Sequence, residues 1–160
     1  MLYSLESIIG DILLIAPLHI TNDLLFLTMR WKLLGKIHCK DRPVSQRLFG
    51  THRTWIGLLF IFASNAFFYA IFTGKILLLP GIGAIIGVHA SSLIKRGIGI
   101  KEGQPLPVAD QLDFVIGGIF GLALSGIYLS NLYLMLAFSF VLHLVSNIAA
   151  YFLGLKEVWW

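Results

Sequence analysis

Five long apolar segments constrain the fold of this chain more than any other feature of its sequence. A transmembrane helix needs about 20 mostly apolar residues to cross the hydrocarbon core of a bilayer. Segments of this kind cover residues 5–28, 56–73, 76–94, 112–129 and 132–153. We therefore predict an all-α polytopic membrane protein with five transmembrane helices.

The composition excludes a soluble enzyme. Only 12% of the 160 residues are charged, compared with about 25% in an ordinary soluble domain. Such a chain has too little polar surface to cover a water-soluble globule. Its single cysteine also excludes an internal disulfide and a zinc site built on several thiolates. We expect one integral-membrane domain over residues 1–160.

The distribution of charge predicts how these helices are oriented. With five crossings, the two long connections, about residues 29–55 and 95–111, share one side of the membrane with the C-terminal tail. That side holds all of the 12 Lys and Arg residues except Lys75. Since basic residues mark the cytoplasmic side, we expect the N-terminus outside and two functional cytoplasmic loops. The protein is then a multi-pass component of the cell membrane whose site faces the cytoplasm.

The first connection ends in groups that suit phosphate. Arg47, Gly50, Arg53 and Thr54 precede the second apolar segment. Free N–H groups at a helix N-terminus attract phosphate, and arginine adds bidentate recognition of its oxygens. A structural interpretation is equally open, in which Thr54 is an N-cap and the arginines reach lipid headgroups.

The second connection combines basic and acidic residues. Lys95, Arg96 and Lys101 follow the third apolar segment, and Asp110 and Asp113 open the fourth. The spacing of the two carboxylates places them on one face of a helical turn. An unpaired charge within an apolar span costs about 2.5–3.5 kcal/mol, more than the roughly 0.3–1 kcal/mol that the helix dipole returns. Carboxylates near phosphate-binding lysines therefore predict a Mg²⁺ site.

Polar residues also interrupt the first and last apolar segments. Asn22 lies near the cytoplasmic end of the first, and His143, Asn147 and Tyr151 recur every four residues on the last. Such side chains line a bundle interior or a wet cavity, or form interhelical hydrogen bonds. Asp11 lies toward the outer side, and the sequence assigns it no role.

Glycines in the third and fourth segments predict close helix packing. They occupy positions 81, 83 and 87, and 117, 118 and 121. Small residues at such spacing let helix backbones approach each other in a membrane. This pattern is typical of packing and differs from a phosphate-binding loop.

Four blocks resemble the CDP-archaeol synthase family. Residues 17–22 are similar to its Pro-x-x-x-x-Asn motif, and residues 47–57 to its Arg-hydrophobic-Phe-Gly-x-x-Lys-Thr-x-x-Gly loop, with Arg53 at the Lys position. Residues 92–114 resemble its second loop, and more distantly the Lys-Arg … Asp-x-x-Asp signature of CDP-diacylglycerol synthases. Residues 143–159 resemble its last helix and tail.

The resemblance implies a Mg²⁺-dependent CTP:lipid-phosphate cytidylyltransferase of phospholipid biosynthesis. CTP and a lipid phosphate would give a CDP-lipid and pyrophosphate. The acceptor is expected to resemble 2,3-bis-O-geranylgeranyl-sn-glycerol 1-phosphate or phosphatidic acid. Partners are then CTP, the lipid phosphate and the bilayer, with no nucleic acid, and the oligomeric state is not predicted.

Candidate site residues are carried over onto the matching positions. The catalytic candidates are Lys95, Arg96, Asp110 and Asp113, of which the two aspartates are the predicted metal ligands. The predicted substrate-binding residues are Asn22, Arg47, Gly50, Arg53, Thr54, Ser92, Lys101, Gln111, His143 and Asn147.

Three other classes of function compete with this interpretation. A small transporter or channel subunit could use Asp11, Asp23 and His143 as a polar path. Five helices without an inverted repeat or a pair of broken helices argue against it. The others are a scaffold whose basic loops bind anionic lipid, and a different lipid-active transferase.

Overall fold

The described parts of the chain form a helical bundle. The computed structural model describes residues 4–30, 42–51, 53–102 and 104–156. Its helices are α1 (Leu5–Arg30), α2 (Gln46–Phe49), α3 (Trp55–Thr73), α4 (Leu79–Gly97), α5 (Ala109–Leu124) and α6 (Leu132–Phe152). Within these ranges, Pro43 and Thr54 form an isolated antiparallel β-bridge. The all-α prediction is confirmed.

Three of the helices are long and apolar enough to cross a membrane. Their spans are Leu5–Thr28 in α1, Trp55–Thr73 and Leu132–Phe152. The chain is therefore a helical membrane protein. Helices α4 and α5 do not meet the same requirement: α5 has 16 residues, and α4 carries two charges, Lys95 and Arg96, in its last turn. The crossing of the membrane by these two helices stays a prediction.

The bounds of α4 and α5 differ from the predicted segments. Helix α4 begins three residues later than predicted, with Pro80 in its first turn, where a missing N–H is tolerated. It extends to Gly97, so that Lys95 and Arg96 lie on its last turn and not in a loop. Helix α5 ends at Leu124, just before Gly126, whose φ of 75° suits a glycine. The predicted loop 95–111 is thus corrected to residues 98–108.

Helices α4 and α5 are the most closely packed pair among the described helices. A Cβ atom at Gly83 would overlap the carbonyl oxygen of Gly117, and one at Gly121 would overlap that of Leu79. These are main-chain atoms, so the two backbones are in direct contact. The packing role predicted for the glycines is confirmed.

Packing of α1 across the bundle sets the position of the site. Leu18 of α1, Tyr69 of α3 and Val115 of α5 are among the buried residues of one apolar core. Because successive helices run up and down, the C-terminal ends of α1, α4 and α6 meet the N-terminal ends of α3 and α5. The described basic residues Arg53, Lys95 and Arg96 lie at this end, whereas Lys75 lies in the turn at the other.

Asp11 has a structural role at that other end. Its carboxylate is 3% exposed and accepts hydrogen bonds from the main-chain N–H groups of Ser130 (3.0 Å) and Asn131 (2.7 Å). The Asn131 side-chain amide donates a further bond at 2.8 Å. Asp11 therefore satisfies free N–H groups at the start of α6, where the helix dipole favours a negative charge.

Candidate functional site

A polar cavity of about 350 Å³ lies at the end of the bundle where the basic residues gather. Among the helices of the described ranges, all except α3 contribute to it, and Arg53 does so from the residues just before α3. Ten predicted site residues line it: Asn22, Arg53, Ser92, Lys95, Arg96, Asp110, Gln111, Asp113, His143 and Asn147. The fold thus brings together residues up to 125 positions apart in the sequence.

Asp110 is held by three donors. Its carboxylate forms an ion pair with the Lys95 ammonium at 2.8 Å. It also accepts hydrogen bonds from the Ser91 hydroxyl at 3.2 Å and the Leu106 N–H at 2.8 Å. The last turn of α4 and the first turn of α5 are therefore joined through one carboxylate. Ser91 was not among the predicted residues, because its role depends on α4 and α5 lying side by side.

A strained turn precedes Asp110. Val108 has a φ of 68° and a ψ of −49°, and the Ala109 N–H donates to the Pro107 carbonyl at 2.8 Å. This is a γ-turn with positive φ, the rarer and strained form, and a β-branched residue seldom adopts it. The hydrogen bond from Leu106 to Asp110 spans this turn and stabilises it.

Arg53 provides the counter-charge that Asp113 needs. Asp113 lies one turn further along α5 and is only partly exposed. The Arg53 guanidinium interacts electrostatically with Asp113 and Asp110. Burial lowers the pKa of Arg53, and the two carboxylates oppose that shift. A cation from the other connection thus offsets part of the cost predicted for an unpaired Asp113.

The donor set of the cavity suits a hard cation. Asp110 and Asp113 line it together, and the Gln111 side-chain oxygen between them is buried without a hydrogen-bond partner. Mg²⁺ is typically bound by one or two carboxylates together with substrate phosphates and water. Within the described ranges no group of three or more His, Cys, Asp or Glu could hold a metal by itself. Phosphate oxygens would have to supply part of the coordination.

A second cavity, of about 430 Å³, adjoins the polar one. Asn22, Arg53, His143 and Asn147, with Lys156, line both. Apart from this shared wall, the lining is mainly apolar, and comprises Leu25, Phe26, Leu27, Leu58, Ile61, Ala149, Ala150, Leu153 and Leu155 among others. The cavity lies between α3 and α6, whose Cα atoms are all more than 8 Å apart.

Lys156 is a site residue that the sequence analysis missed. It follows α6, and its ammonium donates a hydrogen bond to the Asn147 side-chain oxygen at 2.6 Å. It also lies 5.2 Å from the centre of the Phe26 ring. Burial lowers the pKa of Lys156, and the charge of Asp23 opposes that shift. Its position within residues 143–159, which resemble the last helix and tail of the family, could have indicated a site residue. The sequence analysis counted Lys156 only among the basic residues that predict the membrane orientation.

Three predicted residues lie outside both cavities. Arg47 on α2 and Lys101 after α4 are exposed and line neither cavity. Gly50 is buried, and its φ of 84° favours glycine. Thr54 lines the apolar cavity, and its hydroxyl accepts the Gly57 N–H at 3.2 Å. It is therefore the N-cap of α3, as the structural interpretation predicted.

The two connections are joined at the rim of the polar cavity. The Glu102 carboxylate accepts hydrogen bonds from the Thr51 N–H at 2.5 Å and from the Thr51 hydroxyl at 2.7 Å. A Cβ atom at Gly50 would come within 2.5 Å of the same carboxylate oxygen. A side chain at position 50 would displace this carboxylate and would also have to adopt the φ of 84° that favours glycine. The sequence analysis did not predict the contact, because its partners are 51 residues apart.

Comparison with known proteins agrees with the predicted resemblance. The family model described as CarS-like, CDP-archaeol synthase, matches residues 56–160. The chain belongs to the CDP-archaeol synthase family. A family member from Aeropyrum pernix is 39% identical over 128 residues, which is 74% of each chain. One from Methanocaldococcus jannaschii is 45% identical over 80 residues, 49% of this chain and 45% of that protein.

The alignments differ in how much of the relatives they include. The chain spans about half the length of the Methanocaldococcus jannaschii relative and of the one from Methanothermobacter thermautotrophicus, which is 42% identical. A solved structure described as an intramembrane enzyme for archaeal membrane lipids biosynthesis superimposes with a TM-score of 0.64. The two sequences are 30% identical, and the superposition includes 86% of this chain and 92% of the chain in that structure. The fold of that intramembrane enzyme therefore extends over most of the present chain.

Proposed function

We propose that this protein is a membrane cytidylyltransferase that converts CTP and a lipid phosphate into a CDP-lipid and pyrophosphate. The observation that carries the proposal is the junction of a charged cavity with an apolar one, since the reaction unites a polar nucleotide with a membrane lipid. Relatives named CDP-archaeol synthase favour an acceptor with ether-linked isoprenoid chains. A diacyl acceptor such as phosphatidic acid is the second candidate.

The reaction requires no covalent enzyme intermediate. An oxygen of the acceptor phosphate attacks the α-phosphorus of CTP, and the bond to the β-phosphate oxygen breaks to release pyrophosphate. Catalysis of such a transfer depends on positioning and on neutralising charge. Lys95 and Arg96 on the last turn of α4, with Arg53 opposite, would neutralise the triphosphate.

The carboxylates of the polar cavity would bind metal, whereas its cations would bind phosphate. Asp110 and Asp113, with the Gln111 oxygen beside them, would hold Mg²⁺, which neutralises phosphate oxygens and the leaving group when bound. Lys95, which pairs with Asp110 at 2.8 Å, would bind nucleotide phosphate beside these carboxylates.

Five membrane crossings are the topology that fits this function. Helices α4 and α5 would cross as a tightly packed pair, with the N-terminus outside and both cavities opening at the cytoplasmic end. The concentration of basic residues at that end supports this orientation. CTP is a cytoplasmic metabolite, so a site at this end has access to it.

An in vitro assay with purified protein tests the proposed function. Purified protein in detergent is incubated with labelled CTP, Mg²⁺ and either an archaeal-type or a diacyl lipid phosphate. We expect labelled CDP-lipid and pyrophosphate, with higher kcat/KM for the archaeal-type acceptor. Folded protein that yields no CDP-lipid from either acceptor would overturn the proposal.

Two substitutions test the metal ligands. Asp110→Asn and Asp113→Asn are expected to reduce kcat by about 100-fold or more, because each removes a preorganised charge from the reaction centre. Glu6→Gln is the matched control, since Glu6 is an exposed carboxylate at the other end of α1 and its loss should leave kcat unchanged. Full activity in both aspartate variants would contradict the metal assignment.

A further inference from the structure

Two cations lie where the polar and apolar cavities meet. Arg53 and Lys156 line both cavities, whereas Lys95 and Arg96 line only the polar one. A lipid phosphate has its charge at one end and its chains at the other. Its headgroup should therefore lie at such a junction.

The cations of the site differ in how far their charge is already paired. Lys95 is bound to Asp110 at 2.8 Å, and Arg53 interacts electrostatically with two carboxylates, Asp110 and Asp113. In the described part of the chain, neither Arg53 nor Lys156 has a carboxylate within 4.0 Å, and Lys156 interacts electrostatically with one carboxylate, Asp23. The hydrogen-bond partner of the Lys156 ammonium, the Asn147 amide oxygen, is neutral.

The surroundings of Lys156 make an incoming anion favourable. The ammonium is partly buried beside the Phe26 ring. A buried charge is costly unless it is paired. Asp23, which interacts electrostatically with Lys156, also accepts a hydrogen bond from the Ser146 hydroxyl at 3.4 Å. A phosphomonoester with nearly two negative charges would supply the missing pair.

We propose that Lys156 binds the phosphate of the lipid acceptor and selects lipids that carry this group. The inference rests on the function proposed above. Asn147 holds the ammonium at the shared wall, and the apolar surface between α3 and α6 takes the lipid chains next to the headgroup. Lys156 is then a specificity-determining residue for the acceptor, and Lys95 and Arg96 serve the nucleotide.

Steady-state kinetics with both substrates varied provides the test. Lys156→Gln removes the charge but keeps a donor for Asn147, and should raise KM for the lipid phosphate by about 10- to 100-fold, as expected for a lost charge-assisted hydrogen bond. KM for CTP should stay within about 2-fold. Lys156→Arg should restore most of the acceptor affinity, since it restores the charge. Lys75→Gln, an exposed lysine at the opposite end of the bundle, is the matched control.

A second measurement separates phosphate binding from a purely structural role of the tail. The same lipid without its phosphate is used as a competitive inhibitor against the lipid phosphate. Its inhibition constant should be unchanged by Lys156→Gln, because it has no group for Lys156 to bind. Lys156→Met serves if the Gln variant does not fold.

The outcomes are distinguishable. An active wild-type protein whose variants show unchanged KM for the acceptor, or an equal rise in KM for CTP, would overturn the role of Lys156 alone. A parallel loss of affinity for the phosphate-free lipid would assign Lys156 to tail structure and also overturn it. A wild-type protein that makes no CDP-lipid would overturn the proposed function and this inference with it.

Discussion

Substitution of Gly87 by alanine tests whether the contact between α4 and α5 sets the geometry of the site. A Cβ atom at Gly87 would overlap the main-chain carbonyl oxygen of Asp113 and would lie 3.0 Å from its carbonyl carbon and 3.3 Å from the Gly117 Cα. These are backbone atoms that cannot rotate away. The N-terminal end of α5 would have to move from α4 by about 1 Å to restore van der Waals separation.

Such a movement would act on the reaction centre directly. Asp110 and Asp113 are both on the displaced helix, and the 2.8 Å contact of Asp110 with Lys95 would lengthen beyond hydrogen-bond range. A misplacement of about 1 Å can reduce the rate about 100-fold, equivalent to about 2.7 kcal/mol of activation free energy. Overpacking costs about 1–3 kcal/mol of stability, partly offset by about 1 kcal/mol from the better helix propensity of alanine.

CDP-lipid formation and thermal unfolding in detergent measure these two effects. Gly10→Ala is the control, because Gly10 is also within a helix but has open space around the position that the alanine methyl group would take, with no atom within 4 Å. It should keep wild-type kcat and gain up to about 1 kcal/mol of stability. A Gly87→Ala protein as active and as stable as the Gly10→Ala protein would refute the reasoning.

Two further predictions concern contacts that join distant parts of the chain. Asp11→Ala leaves the N–H groups of Ser130 and Asn131 without their acceptor, so the free energy of unfolding should fall by about 2 kcal/mol or more; an unchanged unfolding temperature would argue against a capping role. Glu102→Ala removes the acceptor for Thr51, and trypsin should then cleave faster after the neighbouring exposed Lys101. A cleavage rate equal to that of the wild-type protein would show that this contact does not restrain residues 98–108.

Local signals in the sequence predicted most of the helices. The apolar runs and the turn residues are patterns of one or a few helical turns. Three of the predicted apolar segments, 5–28, 56–73 and 132–153, correspond to the three helices that are long and apolar enough to cross a membrane. The predicted ends of the helices were less accurate than the helices themselves, because Pro80 and Gly126 control the start of α4 and the end of α5 through their backbone conformation. The glycine spacing predicted close helix packing, but it did not indicate which helices meet, since Gly83 and Gly117 lie in the α4–α5 contact whereas Gly118 lies against Leu18 of α1.

Tertiary structure decided which polar residues share a cavity. Residue chemistry alone pointed to both Arg47 and Arg53. Arg53 interacts electrostatically with the carboxylates of α5, whereas Arg47 is exposed and lines neither cavity. Lys156 was counted as a topology charge, and only the return of the tail onto α1 places it beside Phe26. Composition and periodicity are properties of neighbouring residues and can be read along the chain. The meeting of an arginine, two aspartates and a C-terminal lysine depends on how whole helices pack, and no local pattern encodes that distance.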